Sequence, residues 1–226
     1  MPTGEIITAM GIPRLTTAQL ERGIASLRGQ RITRVDYALL TGGTDGHAVL
    51  DWDYDTWHEP TMGIQLTTEI GAVFTLTWAS SFGCYGLEIH ERGIDDFLAR
   101  LGEPCGPVIL PVGQHPRWWP LLGREIIATE LARVEWVSSD PTPCWLRLDI
   151  AAGCERSSSG PECVWISAGR WERDRFAFAT DDVTVIFEPA EAARTKIMTS
   201  PQPRTPSLGM HQRVGRQRHH AVIMAR

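Results

Sequence analysis

Leu27-Arg28-Gly29-Gln30-Arg31-Ile32 and Leu121-Leu122-Gly123-Arg124-Glu125-Ile126 share the pattern Leu-x-Gly-x-x-Ile, and each opens a run of strand-like segments. Two β-units, over residues 12–104 and 112–194, would account for most of the chain, either as copies of one unit or as two β-meanders alike by chance. The expected class is therefore α+β, mainly antiparallel β. It comprises two tandem β-meander units with an N-terminal helix and a disordered C-terminal tail, and the units are free to share one core.

Working outward from the first copy, Thr17 to Leu27 reads as a helix. Thr16 or Thr17 can cap it, and Leu20, Ile24 and Leu27 recur on one face. Gly29 then sits where a helix C-terminal glycine belongs. Arg31 to Leu40 has strand character, and Thr41 to Gly46 reads as a turn. Ile64–Thr68 and Val73–Trp78 make a strand pair around Gly71, and Tyr85, Leu87 and Ile89 alternate again. Ile94 to Leu101 has helical spacing, and Pro104 to Pro111 marks the junction. In the second unit Leu148, Gly153 and Val164 correspond to Leu66, Gly71 and Val73, with 154–162 as an inserted loop. Asp182 to Glu188 is the closing strand.

The 226 residues are 42% hydrophobic and 22% charged, the balance of a soluble protein. No apolar run approaches a membrane span, the start lacks a secretory leader, and a cytoplasmic location is expected. Cys84, Cys105, Cys144, Cys154 and Cys163 form no Cys-x-x-Cys pair and read as reduced, small apolar side chains, though Cys154 and Cys163 flank one loop. The last 32 residues carry six cationic and no acidic side chains; removing these six from the net −5 leaves −11 on residues 1–194. An acidic body repels a phosphate backbone, so nucleic-acid contact is expected only through the basic tail at 195–226.

The most suggestive cluster is Asp51-Trp52-Asp53-Tyr54-Asp55-Thr56-Trp57-His58-Glu59. As a calcium loop it fails, because Thr56 and Met62 stand where glycine and glutamate are required. Were it extended, Asp51, Asp53 and Asp55 would share one face and Trp52 and Tyr54 the other. This is either a solvated acidic face over packed rings or a binding surface for a cationic partner. A hard-metal site with His58 and Glu59 is the remote alternative; no metal or cofactor is expected. His115-Pro116-Arg117-Trp118-Trp119-Pro120 is either a linker whose indoles plug the seam between units or an exposed aromatic patch.

These short motifs resemble small, uncharacterised β-rich bacterial proteins of actinobacterial type, some of them similar to immunity proteins of toxin systems. The features that carry the resemblance are Leu-x-Gly-x-x-Ile, strand-Gly-strand and the closing Asp181-Asp182-Val183-Thr184-Val185-Ile186-Phe187. It implies a non-enzymatic protein-binding module and brings no catalytic residues with it. The expected contacts with a basic protein partner are Asp51, Trp52, Asp53, Asp55, Trp57 and Glu59, with Trp118 and Trp119. The alternative is a small-molecule-binding or hydrolytic protein with a pocket between the units, lined by Trp78, Cys84, Tyr85 and His90.

Overall fold

The computed structural model of the chain describes residues 14–42, 48–49, 51–82, 85–98, 108–135, 141–153 and 162–195. The elements run α1 (Thr17–Leu27), β1 (Ile32–Leu39), β2 (Thr41–Gly42), β3 (Ala48–Val49), β4 (Trp57–His58), β5 (Gly63–Thr68), β6 (Val73–Ala79), β7 (Gly86–His90) and α2 (Asp95–Leu98). They continue with β8 (Val108–Pro111), β9 (Ile126–Val134), β10 (Thr142–Ile150), β11 (Glu162–Glu172), β12 (Arg175–Ile186) and α3 (Pro189–Arg194). Two five-stranded antiparallel sheets result, ordered β7-β6-β5-β1-β8 and β4-β12-β11-β10-β9. The α+β, β-dominated class expected from the pattern is the one observed. Among the described residues no helix is long and apolar enough to cross a membrane. The basic tail from Lys196 onward lies outside the described residues.

Each sheet is a four-stranded meander plus one short added strand. The two meanders share one register where their first strand pair begins. Ile32 faces Thr68 and Val35 faces Leu66, with Thr33 bulged out between them. In the second meander Ile126 faces Ile150 and Thr129 faces Leu148, with Ile127 bulged out at the equivalent place. The correspondence of Leu66 with Leu148 is matched in this pairing, whereas Leu66 faces Phe74 and Leu148 faces Val164, so Val164 aligns with Phe74 and not with Val73. The two Leu-x-Gly-x-x-Ile copies also pair with each other. Gly29 N–H donates to Ile126 O at 2.9 Å, Gly123 N–H donates to Ile32 O at 2.7 Å, and Arg31 bridges Glu125. Both glycines are left-handed, at φ +78° and +74°, a conformation that side-chain-bearing residues adopt only at a cost. The echo in the sequence is thus the seam about which the two sheets meet.

Helix α1 forms as its pattern predicts. Thr16 and Gln19 make a reciprocal capping box, and Leu20, Ile24 and Leu27 are buried. Gly23 lets the helix lie on β7, because a Cβ there would meet Ile89 Cγ2 at 2.9 Å. The inward faces of both sheets merge in one core holding Val35, Tyr37, Leu66 and Phe74 with Leu146, Leu148, Ile166 and Val185.

Four local expectations are revised. Residues 108–111, read as part of a junction, form β8 on the edge of β1. Thr41–Gly42, read as a turn, pairs with Ala48–Val49 as a small ribbon. In β7 all five residues are buried, where alternation predicted one exposed face; the chain at 92–94 folds over that side, with Thr75 donating to Arg92 O and Ile94 N–H to Gln65. The helix expected over 94–101 is a single turn, Asp95–Leu98, followed by residues outside the described set.

Candidate functional site

Two segments that the units do not share come together at one place. The first meander carries an insertion between β1 and β5, residues 40–62, and the units are joined by residues 112–121. Both segments converge on the buried end of β1. Trp118 is fully buried and its indole N–H donates to Tyr37 Oη at 2.6 Å. Tyr37 Oη lies 2.7 Å from His58 Nδ1, and that hydrogen bond turns His58 Nε2 toward Asp53 Oδ1, 3.5 Å away. His115 Nε2 meets the other oxygen, Asp53 Oδ2, at 3.1 Å, and its Nδ1 accepts the Arg117 N–H at 3.2 Å. Trp52 stacks edge-on against Tyr37, His58 and His115 with centroids 5.0–5.6 Å apart.

The local backbone explains how Asp53 and His58 meet. The run over 51–59 is not extended throughout: it folds into a tight turn, in which Asp53 pairs with His58, Tyr54 N–H donates to Trp57 O and Asp55 is left-handed at φ 66°. Asp53 Oδ1 accepts the Asp55 N–H at 2.9 Å, a side-chain-to-backbone bond that aspartate offers readily and that competes with strand geometry. The three aspartates therefore do not form one free acidic face. Asp53 is held by the two imidazoles, and Asp55 pairs with Arg117, which also grips Glu188. Asp51 is exposed.

Electrostatics follow from this packing. Burial, reinforced by neighbouring His115, pushes His58 down to about 3, so its ring is neutral near pH 7. Partial burial acts to raise the Asp53 carboxyl, but the Asp55 N–H and the His115 ring outweigh it and hold the group below its ordinary value. Burial drives the Tyr37 phenol well above its usual range.

Glu59 belongs to a different surface. It sits beside Asp182, whose carboxylate takes Arg170 at 3.0 Å. Burial and then Asp182 raise Glu59 to about 7 from an ordinary 4.5. A raised carboxyl binds more protons when folded, so stability falls as pH climbs from about 4.5 to 7. Glu59→Gln should therefore be near neutral at pH 4.5 and stabilising by about 1–2 kcal/mol at pH 8, after allowing for solvent screening. Denaturant midpoints at the two pH values check this; an equal effect at both would contradict it.

The remaining site residues separate. Trp118, expected as either a seam plug or a surface contact, is a core residue, 0% exposed, while adjacent Trp119 is 59% exposed. Trp52 is half-buried and packs against the core. Trp57 is half-buried and stacks on Tyr54 at 4.0 Å. In the alternative pocket, Trp78 meets Tyr85 edge-on at 5.1 Å, and His90 is buried with Nε2 3.3 Å from the buried Glu88. Cys84 lies outside the described residues. Sequence reasoning missed Tyr37 as a site residue, placed Arg117 only in an aromatic-arginine patch, and left His115 without a partner. The one available signal was that His115, Arg117 and Trp118 fall in a stretch with no counterpart in the other unit.

A further surface feature joins the first unit to the second. Tyr54 and Trp57 lead to Trp171 at 6.2 Å from Trp57, then Phe176 at 5.5 Å and Phe178 at 5.1 Å. Arg194 lies over the Trp171 ring, 5.2 Å from its centroid. No protein-family model, curated protein or solved structure matches the chain.

Proposed function

We propose that the chain is a cytoplasmic, non-enzymatic protein-binding module of the immunity-protein kind, which docks a basic protein through the aromatic row Tyr54–Trp57–Trp171–Phe176–Phe178. The observation that carries this reading is the row itself: five rings in mutual contact, none of them buried, Tyr54 43% exposed. Rings of this kind offer large contact area at small entropic cost and dominate interface energetics. A soluble protein exposes a contiguous apolar patch chiefly where something covers it. The net −11 of residues 1–194 supports a cationic partner, since complementary charge speeds encounter.

Tyr54→Ala removes one exposed ring and loses its stack on Trp57 and a long hydrogen bond to Asp51 O, both at the surface. It should weaken partner binding about tenfold or more while leaving thermal stability nearly unchanged. Asp51→Lys should act mainly on the association rate and most strongly at low salt. The check is affinity capture from the native host with the full chain, then kinetics on the purified pair. A stoichiometric basic partner whose binding ignores Tyr54→Ala and Asp51→Lys would refute the proposed surface. Recovery of no such partner would refute the function.

A further inference from the structure

Asp53, His58 and His115 present three ligand atoms, all within 4.8 Å of one another. We propose that Asp53 Oδ2, His58 Nε2 and His115 Nε2 form a mononuclear site for a divalent first-row transition ion of the zinc type, with its remaining positions open toward solvent beside Asp53. Two independent features point to a ligand. The spacing is close to what an ion needs: donors on a tetrahedral zinc ion, each about 2.0–2.1 Å from it, stand about 3.4 Å apart; Asp53 Oδ2 lies 3.1 Å from His115 Nε2 and Asp53 Oδ1 3.5 Å from His58 Nε2, and the three donors, all within 4.8 Å of one another, draw together on loading. Secondly, His58 is 0% exposed, yet its Nε2 has no hydrogen-bond partner among the described residues and is aimed into the cluster. An orphaned buried polar atom is costly, and native structures seldom keep one without a reason.

The supporting shell has the form such sites use. His58 Nδ1 lies against Tyr37 Oη, which can take its hydrogen and lock the ring with Nε2 outward. Asp53 is oriented by the Asp55 N–H. Two imidazoles with one carboxylate suit zinc, cobalt, nickel or ferrous ions and not calcium or magnesium, which demand oxygen-rich shells. One contact must yield. A histidine ligating through Nε2 carries its hydrogen on Nδ1, so the 3.2 Å bond from Arg117 N–H to His115 Nδ1 opens on loading. That cost favours moderate affinity. The ligands come only from the 40–62 insertion and the 112–121 connection, two places where the chain departs from its own repeat. The site is thus an addition to the scaffold and not a requirement of it.

The test uses the full chain after chelator treatment, titrated with zinc chloride by calorimetry and with cobalt chloride by visible absorbance, with Trp52 fluorescence as a local reporter. One equivalent should bind at roughly micromolar affinity. His115→Ala and Asp53→Asn, both at partly exposed positions, should each weaken binding tenfold or more, and Tyr37→Phe about tenfold through lost ring orientation. Near-ultraviolet circular dichroism without metal verifies that each variant folds. Absence of cobalt binding at hundredfold excess would overturn the site. Binding unchanged in both ligand variants would also do so, placing the metal on other residues and leaving the trio as a hydrogen-bonded clasp that closes the 53–58 turn.

Discussion

Trp118→Ala is expected to destabilise the protein by about 3–5 kcal/mol, the range for emptying a fully buried tryptophan site. Two effects combine. The ring is wholly enclosed and meets Phe187 edge-on with centroids 5.3 Å apart, so a large cavity opens where the connector crosses the core. The loss of its N–H also deprives Tyr37 Oη of a donor at 2.6 Å, and with it the support behind His58. Trp118→Phe separates the two, since it keeps most of the apolar volume and removes only the N–H. It should cost about 1–2 kcal/mol, near the value of one buried hydrogen bond plus a small void. Chemical denaturation of the three proteins measures both. Equal costs for Phe and Ala would mean that the hydrogen bond, not the volume, holds the connector in place.

Gly63→Ala is the second large effect expected, about 3 kcal/mol or more. The chain leaves the second sheet after β4 and must enter the first at β5 within four residues, Glu59 to Met62. It does so through a turn in which Gly63 N–H donates to Pro60 O at 2.6 Å. Gly63 has φ +147°, and a Cβ there would stand 2.6 Å from Leu76 O, a backbone atom that cannot swing aside. Both the conformational strain and the clash act against any side chain. Because this turn also ties the 51–58 segment to the sheets, Gly63→Ala should perturb Trp52 fluorescence as well as lower the melting temperature. A melting temperature within a degree or two of the parent would show that β5 and β6 can part without penalty.

Local patterns were readable where regular spacing and turn residues mark an element. Helix α1, the β5–Gly71–β6 pair and the closing strand through Val183 and Val185 all follow from spacing and turn chemistry. In α1 and β5 the buried apolar residues fall on one side; β6 and the end of β12 are buried on both faces, with Thr75, Thr77 and Thr184 on the second. Reading failed in β7, where both faces are covered, because alternation reports burial on one side only. It failed again at 51–58, where aspartate side chains bond to nearby backbone and outcompete strand geometry. Trp118 and Trp119 show the limit most plainly: adjacent residues of one type, one enclosed and one exposed, distinguished by nothing in their own chemistry.

By itself, then, the chain of residues determined a β-dominated fold built from two similar units. Hydrophobic periodicity and the demand for a left-handed glycine at 29 and 123 are local properties that survive without knowing what packs where. Only the tertiary structure decided that the two copies of Leu-x-Gly-x-x-Ile bond to each other. It likewise decided that β4 leaves the first unit for the second sheet, and that Asp53 and His58 meet His115 across more than fifty residues. Contacts so distant in sequence depend on the closure of the whole core. Their geometry is set by the sum of many packing interactions and by no segment alone.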